Sequence, residues 1–390
     1  MGRLSLASIY VHFPYCLAKC PYCDFVSYAT ERDTIDHAGY ADAVLREARA
    51  RAEQLRSRDL RIASIFFGGG TPSLWTASEL GRVVRELRTI FIVDEDAEIT
   101  VECNPTSLDA EKARALVSEG VTRLSIGTQS LRAEQLRFLG RLHDPDGARR
   151  AVDAALAANV RVSTDLIFGL PDQSVDDARA QAEALAATGL RHLSCYQLTI
   201  EPGTQFGERK KRGLFPMLDE AAVADSFLAI DAALEARGLR HYEISNYAMP
   251  GEESRHNLAY WRGDEYVGLG CAAFGFARTD RGGVRWRNAI DPKRYVEATR
   301  TIASDTITDV VEQLDREALL RERIMLGLRL REGFDLAKAG ADLGIDPWTA
   351  ARTRQVETLI GRARLERDGD VLRVPRPAWL FTDDTAARLF

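Results

Sequence analysis

The sequence has no long hydrophobic segment. Its 390 residues are 45% hydrophobic and 28% charged, which is ordinary for a globular chain. No apolar run approaches the roughly 18 residues that a membrane-spanning helix requires. The first residues, MGRLSLASIY, lack the layout of a secretory signal peptide. We therefore expect a cytoplasmic protein.

The chain also lacks an excess of positive charge. The formal net charge is −6, so no general attraction to nucleic acid is expected. Residues 352–376 contain seven arginines against four acidic residues, but few aromatic side chains that could stack on bases. A nucleic-acid-modifying enzyme is therefore an alternative with little support from composition, and we expect no nucleic-acid partner.

Cysteines are few, and half of them lie together. Three of the six occur within one stretch of eight residues, as Cys16, Cys20 and Cys23. A disulfide framework is not expected in a cytosolic chain of this length, so this spacing indicates metal binding. Zinc sites usually combine two close pairs of ligands, and no second Cys or His pair is present. The other cysteines are interpreted as small buried hydrophobes: Cys103, Cys195 and Cys271.

Short apolar segments alternate with amphipathic stretches through the first half of the chain. Six strands are predicted, at residues 8–13, 63–67, 98–103, 123–127, 162–168 and 192–200. Such βα repeats favour a parallel sheet covered on its outer face, so we predict an α/β fold with an incomplete, TIM-like barrel of six βα units.

The remaining sequence predicts two further regions, because single hydrophobic cores rarely exceed about 250 to 300 residues. We place the partial barrel at residues 1–210 and an extension rich in aromatics and glycine at 211–305. Residues 306–390 are predicted as helices, beginning with VEQLDREALLRERIMLGLRL, and a hairpin around Asp368 and Gly369. This end region is expected to be a small α+β, winged-helix-like domain.

Polar and glycine-rich strings follow the predicted strands. They are FPYCLAKCPYC, GGGTP, CNP, TQS and GLP, in order after the first five strands. Functional residues of such barrels gather at the carboxyl ends of the strands. Four irons held by three cysteines leave one iron without a protein thiolate, where a small molecule with amino and carboxylate groups can bind.

The cysteine spacing, with Tyr22 before the third cysteine, resembles the motif of the radical S-adenosylmethionine superfamily. Within it, the chain is similar to the coproporphyrinogen-dehydrogenase-like group over most of its length. The matching strings are YVHFPYC, CPYCDF, FFGGGTPS, ECNP, RLSIGTQS, LGRLH, DLIFGLP, YQLTIEPGT and EISNYA. The resemblance implies a [4Fe-4S] cluster on Cys16, Cys20 and Cys23.

The resemblance also implies a set of S-adenosylmethionine contacts. These are Tyr10, Tyr22, Gly69, Gly70, Thr71, Glu102, Gln129, Arg141, Asp165 and Gln197. Glu102 and Asp165 can accept hydrogen bonds from ribose hydroxyls or the ammonium group, and Arg141 can pair with the carboxylate. For both acids, a structural ion pair between barrel strands is the alternative.

Two kinds of protein within this group must be separated. The oxygen-independent coproporphyrinogen dehydrogenases, which are oxidative decarboxylases, carry a further cysteine where this chain has Phe25, and a longer extension before the cluster motif. The HemW-type haem chaperones instead carry Asp-Phe after the third cysteine, here Asp24 and Phe25. The resemblance therefore favours a haem carrier that delivers haem to an acceptor protein, with the decarboxylase as the alternative and no catalytic residue assigned.

The haem chaperones also share the string His-Asn-x-x-Tyr-Trp, present here as His256, Asn257, Tyr260 and Trp261. The resemblance implies haem contact by all four, with the imidazole as an axial iron ligand and the aromatics as an apolar wall. Without the resemblance, the string is typical of a surface turn with packed aromatics. Downstream, GLGCAAFGF (268–276) departs from the pattern of the relatives, which puts contacts from that loop in doubt. Dimer formation and membrane association through the acceptor stay open.

Overall fold

In the computed structural model, residues 5–55, 60–301 and 307–390 are described. A single twelve-stranded sheet runs through most of the chain. Its strands are β1 Ser5–Phe13, β4 Leu60–Gly69, β5 Ile92–Cys103, β6 Arg123–Gln129, β7 Arg161–Phe168, β8 His192–Gln197, β9 Arg240–Glu243, β10 Asn246–Ala248, β11 Glu265–Leu269, β12 Phe274–Thr279, β13 Gly282–Asn288 and β14 Thr308–Asp315. Two short strands, β2 Tyr15–Cys16 and β3 Tyr28–Ala29, pair separately.

The predicted partial barrel is confirmed. Strands β1, β4, β5, β6, β7 and β8 are neighbours in that order and pair in parallel. Beyond β1 the sheet continues through β11 to β14, and beyond β8 through β10 to β9. Over the part of the chain that the structure describes, the sheet therefore remains open.

Helices connect the strands and cover the outer face. The helices up to the end of the sheet are α1 His37–Leu55, α2 Ala77–Ile90, α3 Ala110–Ser118, α4 Ala133–Phe138, α5 Pro145–Ala157, α6 Val175–Ala186, α7 Gln205–Lys211, α8 Glu220–Glu235, α9 Arg255–Trp261 and α10 Pro292–Ala298. Local sequence sets their starts: α5, for example, begins where the Asp144 side chain accepts from the Gly147 amide and Pro145 occupies the first turn. The core beneath them includes Ile9, Val11 and Phe13 of β1.

The last region packs around a second hydrophobic cluster, which also includes Phe276 of β12. It contains α11 Arg316–Gly327, α12 Leu336–Leu343, α13 Ala350–Gly361, α14 Thr382–Ala387, and the small sheet of β15 Phe334–Asp335, β16 Glu366–Asp368 and β17 Val371–Arg373. The hairpin turns at Gly369, whose φ is 60°. This arrangement agrees with the predicted small α+β domain. The boundaries at 210 and 305 stay a prediction.

One predicted helix begins later than expected. Residues Val311 to Asp315 belong to β14, which pairs antiparallel with β13 from Gly282↔Asp315 to Asn288↔Thr308. The helix α11 starts only after Asp315, whose side chain accepts from the Ala318 amide. Pairing with a distant strand thus overrides the local helical pattern.

No helix among the described residues is both long and apolar enough to cross a bilayer.

Candidate cofactor and ligand sites

Of the three clustered cysteines, Cys16 ends β2, and Cys20 and Cys23 lie on the loop that leads from β2 to β3. The Cys23 amide donates to the Cys20 carbonyl at 3.1 Å, which closes the loop into a tight turn. Thr71 Oγ1 lies 3.3 Å from Cys16 Sγ, and Arg141 Nη1 lies 3.6 Å from Cys20 Sγ. The fold therefore brings the GGGTP string and Arg141 against the cysteine loop.

The donor set fits a cluster better than a single ion. Across the described ranges, no three His, Cys, Asp or Glu side chains lie close enough to hold one metal ion. In a [4Fe-4S] cluster, each thiolate instead binds its own iron. Burial raises the pKa of the Cys23 thiol to about 11, so binding of iron would have to displace its proton.

The cysteine loop closes one side of a cleft of about 140 Å³. Most of the predicted S-adenosylmethionine contacts line the same cleft: Tyr22, Gly69, Gly70, Thr71, Glu102, Gln129, Arg141 and Asp165. Two do not line it. The Tyr10 hydroxyl pairs with His12 Nδ1 at 3.1 Å, and Gln197 is exposed at the end of β8.

Two carboxylates in the cleft have no cationic partner. Burial, followed by the nearby charge of Asp165, raises the pKa of Glu102 to about 8. Burial raises the pKa of Asp165 to about 6. Neither acid forms an ion pair within 4.0 Å among the described residues, although the charge of Arg123 acts on both and that of Arg141 acts on Asp165. A bound cation would stabilise both charged forms.

Arg141 supplies the opposite charge at the edge of the cleft. Its Nη2 donates to the Gly127 carbonyl at 2.8 Å. Its Nε is buried and has no hydrogen-bond partner in the described part of the chain. Arg141 therefore retains a donor, and with Glu102 and Asp165 it can hold a ligand that carries both an ammonium and a carboxylate.

Glycine is required where the backbone crosses the cleft. Gly69 has a φ of +105°, and a Cβ there would lie 2.4 Å from the His12 ring. At Gly70 a Cβ would lie 2.7 Å from the Tyr15 carbonyl oxygen. The GGGTP string therefore passes close to the start of the cysteine loop. A larger residue in place of Gly70 would push that loop away.

His256 lies at the start of α9 and faces the sheet. Its Nδ1 is 2.9 Å from Ser64 Oγ, and its ring stacks on Phe66 with 4.8 Å between centroids. Burial lowers the pKa of the imidazole to about 3, so the ring is neutral at physiological pH. Its Nε2 has no hydrogen-bond partner among the described residues.

The other three residues of the string line a large pocket. Asn257, Tyr260 and Trp261 form one wall of a cavity of about 780 Å³ that is mostly apolar, a size typical of sites for small molecules and cofactors. His256 does not line it; its ring lies behind Tyr260, edge to face at 5.0 Å. The structure thus separates one predicted haem residue from the other three.

The opposite wall of this pocket comes from α11. It contributes Leu319, Met325 and Leu326, together with Arg323 and the following Arg329. These residues were not predicted from the sequence. They belong to an ordinary amphipathic helix, and no local pattern indicates that this helix faces the His-Asn-x-x-Tyr-Trp string.

Phe25 connects the two cavities. It lines both the cleft and the apolar pocket, and it is 57% exposed. The pocket therefore opens beside the cysteine loop at the position where the decarboxylases carry a further cysteine.

The isolated cysteines are buried, as predicted. Cys103 also lines the cleft, which was not expected. The Cys271 thiol donates to the Ile290 carbonyl at 2.9 Å and lines neither cavity. Of the divergent GLGCAAFGF loop, Phe276 reaches the apolar pocket.

Comparisons with known proteins agree with this arrangement. Residues 10–185 match the radical SAM superfamily model, and residues 314–381 match the HemN C-terminal domain. The chain is 34% identical over 370 residues to the haem chaperone HemW of Mycobacterium tuberculosis, covering 93% of this chain and 90% of that protein. It is 38% identical over 310 residues to HemW of Escherichia coli, covering 77% and 80%.

A solved structure has the same overall fold. The coproporphyrinogen III oxidase HemN from Escherichia coli, described as a radical SAM enzyme, superposes with a TM-score of 0.82. The match covers 99% of this chain and 90% of that one, at 20% sequence identity. At this identity the likeness concerns the fold alone.

Proposed function

This chain belongs to the HemW family of the radical SAM superfamily, and from that premise we propose that it binds haem and transfers it to an acceptor protein. The observation that carries the proposal is the apolar pocket of about 780 Å³ walled by Asn257, Tyr260 and Trp261. Aromatic side chains of this kind bury a large area of a flat apolar ligand.

The cysteine cleft is proposed as the cofactor site. Cys16, Cys20 and Cys23 would hold the [4Fe-4S] cluster that membership of the superfamily implies, and S-adenosylmethionine would occupy the adjoining cleft. Glu102 and Asp165 accept from its ammonium or ribose groups, and Arg141 donates to its carboxylate. The cluster would supply an iron without a protein thiolate, open to those amino and carboxylate donors.

His256 is proposed as an axial haem ligand. A neutral imidazole with a free nitrogen suits iron binding, and burial keeps this ring neutral. To reach the pocket, the ring must turn away from Ser64 and Phe66 and pass Tyr260. Haem binding would therefore include a rearrangement at the start of α9.

The alternative is oxidative decarboxylation of coproporphyrinogen. The chain shares its fold with HemN, but Phe25 in place of a cysteine counts against this function. Both functions require a pocket for a tetrapyrrole, so the pocket alone does not separate them.

The test is anaerobic reconstitution of the cluster, followed by two parallel assays. Haemin titration should give a saturable Soret band at one haem per chain. Coproporphyrinogen III, supplied with S-adenosylmethionine and a low-potential reductant, should remain unchanged. Conversion of coproporphyrinogen without haem uptake would select the alternative.

A further inference from the structure

The apolar pocket has a charged end. Arg278 on β12 and Arg323 on α11 line this pocket and also an adjoining cavity of about 400 Å³. Trp261 and Asp264 border both cavities as well. Two guanidinium groups from distant parts of the chain therefore meet where the apolar wall ends.

Arg278 is incompletely satisfied. Its Nη2 donates to the Gly263 carbonyl at 2.9 Å. Its Nε is buried without a hydrogen-bond partner, and the described residues offer its guanidinium no ion pair within 4.0 Å. Arg278 is half-buried, and a charged group that is partly withdrawn from water is normally paired, because its desolvation is otherwise costly.

Arg323 is also weakly neutralised. Its side chain is 10% exposed, and Nη1 lies 3.4 Å from both the Ala339 carbonyl and Asp342 Oδ2. Asp342 Oδ2 already accepts from Lys338 Nζ at 2.7 Å. Burial, followed by the charge of Arg278, lowers the pKa of Arg323.

The nearby acids do not fully neutralise the positive charge of Arg278 and Arg323. Burial raises the pKa of Asp264, and the described residues contain no ion pair between it and either arginine. On the other side of the pocket, Glu322 accepts from Arg285 at 2.7 Å. Arg329 likewise has a partner, Asp383, at 2.7 Å. Among the arginines that line the pocket, Arg278 therefore has no ion pair within the described residues, and Arg323 has only a long one to a carboxylate that it shares with Lys338.

We propose that Arg278 and Arg323 bind a carboxylate of the ligand whose apolar body fills the pocket. The inference rests on the proposed function, under which this carboxylate is a haem propionate. A guanidinium offers two parallel donors that match both carboxylate oxygens, so the pair would set the orientation of the macrocycle as well as its affinity.

The test compares haem with haem dimethyl ester, which has the same macrocycle without the two negative charges. Soret titrations of the reconstituted protein should give tighter binding of haem than of the ester. Arg278→Gln and Arg323→Gln should each weaken haem binding about tenfold or more, and leave affinity for the ester unchanged. Arg278→Lys and Arg323→Lys keep the charge and should retain part of the preference for haem.

Arg285→Gln is the matched control. It lines the same pocket, but its guanidinium is already paired with Glu322 and Glu312, so its effect on the two ligands should be equal. A second outcome is that haem binds the original protein while the Gln variants weaken the binding of haem and of the ester equally, or leave both unchanged. That result would contradict the carboxylate site but not the haem pocket. If the original protein binds no haem, the proposed function fails with it. If a Gln variant does not fold, the corresponding Lys variant is used instead. Complete loss of the preference for haem over the ester in that Lys variant would also contradict the proposal.

Discussion

At the scale of single residues, Glu102 and Asp165 are buried and form no direct ion pair among the described residues. Burial, with the nearby charge of Asp165, raises the pKa of Glu102 to about 8 and keeps it protonated near neutrality, whereas Asp165, with a pKa of about 6, is mostly ionised there. Buried acids with strongly shifted pKa values are typical of functional sites, because buried acids with a structural role normally form ion pairs. Their chemistry is therefore best tested by removing charge without removing volume.

Glu102→Gln should weaken S-adenosylmethionine without loss of iron. Hydrogen bonds to charged groups are worth about 1.5 to 3 kcal/mol, and Arg141→Ala should cost a similar amount. Calorimetric titration measures both. Unchanged affinity in the two variants would contradict the assignment of the cleft.

The same substitution should alter the pH dependence of stability. The raised pKa means that folded Glu102 keeps its proton while the unfolded chain loses it, so its contribution to stability falls as pH rises from about 4.5 to about 8. In the ligand-free protein, Glu102→Gln should therefore raise the thermal transition above pH 8 more than at pH 5. An equal change at both pH values would mean that Glu102 is not protonated in the folded protein.

Replacing Cys16, Cys20 or Cys23 by Ala should abolish the cluster, because two thiolates rarely retain it against water and chelators. Iron and sulfide content after anaerobic reconstitution measures the effect. Cys195→Ala is the control, since this thiol is buried and lines neither cavity. Near-full iron in any of the three loop variants would refute the site.

His256→Ala should shift or erase the Soret band and leave iron content and cofactor affinity unchanged, because the cluster uses other ligands. Ser64→Ala is the matched control: it removes the 2.9 Å contact to Nδ1 but keeps the imidazole. A ligand role predicts that only the His256 variant changes the band shape. If both variants alter it alike, the effect comes from packing of α9 against the sheet.

At the scale of elements, the pocket depends on two helices that face each other. The short α9 supplies Tyr260 and Trp261, and α11 supplies Leu319, Met325 and Leu326. Neither wall encloses a ligand alone. Substitutions on α11 should therefore lower haem affinity as strongly as substitutions in the His-Asn-x-x-Tyr-Trp string.

Met325→Asp should lower haem affinity at least about tenfold, because an unpaired charge on an apolar wall must be desolvated when the ligand enters. Met325→Leu preserves the volume and should change affinity little. Soret titration of both variants gives the comparison. A large spectral change with Leu would instead identify the thioether as an iron ligand.

At the scale of the whole molecule, the end domain is held against the barrel region by charged contacts. Arg376 Nε donates to Asp231 of α8 at 2.8 Å, and Asp231 also lies 3.2 Å from His241. Because α11 belongs to the end domain, the docking of that domain positions one wall of the pocket.

Arg376→Ala should therefore lower the thermal transition and haem affinity together, while cluster content stays unchanged. Differential scanning fluorimetry, haem titration and iron analysis measure the three quantities. Arg373→Ala is a suitable control, since its ion pair with Glu366 lies within the β16–β17 hairpin. Equal loss of haem in both variants would show that docking is not the cause.

The sequence by itself determined the features that depend on neighbouring residues. The clustered cysteines lie within a short stretch of the chain, and the polar and glycine-rich strings directly follow the carboxyl ends of the strands that they belong to. Parallel βα units then bring those ends to one edge of the sheet. The cysteine loop could therefore be found from its spacing, whereas the proposed S-adenosylmethionine contacts followed from the family resemblance.

Only the tertiary structure decided features that join distant segments. Val311 became a strand residue through pairing with β13, and the His256 ring lies behind Tyr260 because it contacts Ser64 and Phe66. The proximity of Arg278 and Arg323 depends on how α11 packs against β13 and β14. Such contacts arise from packing between residues far apart in the chain, which no local periodicity records.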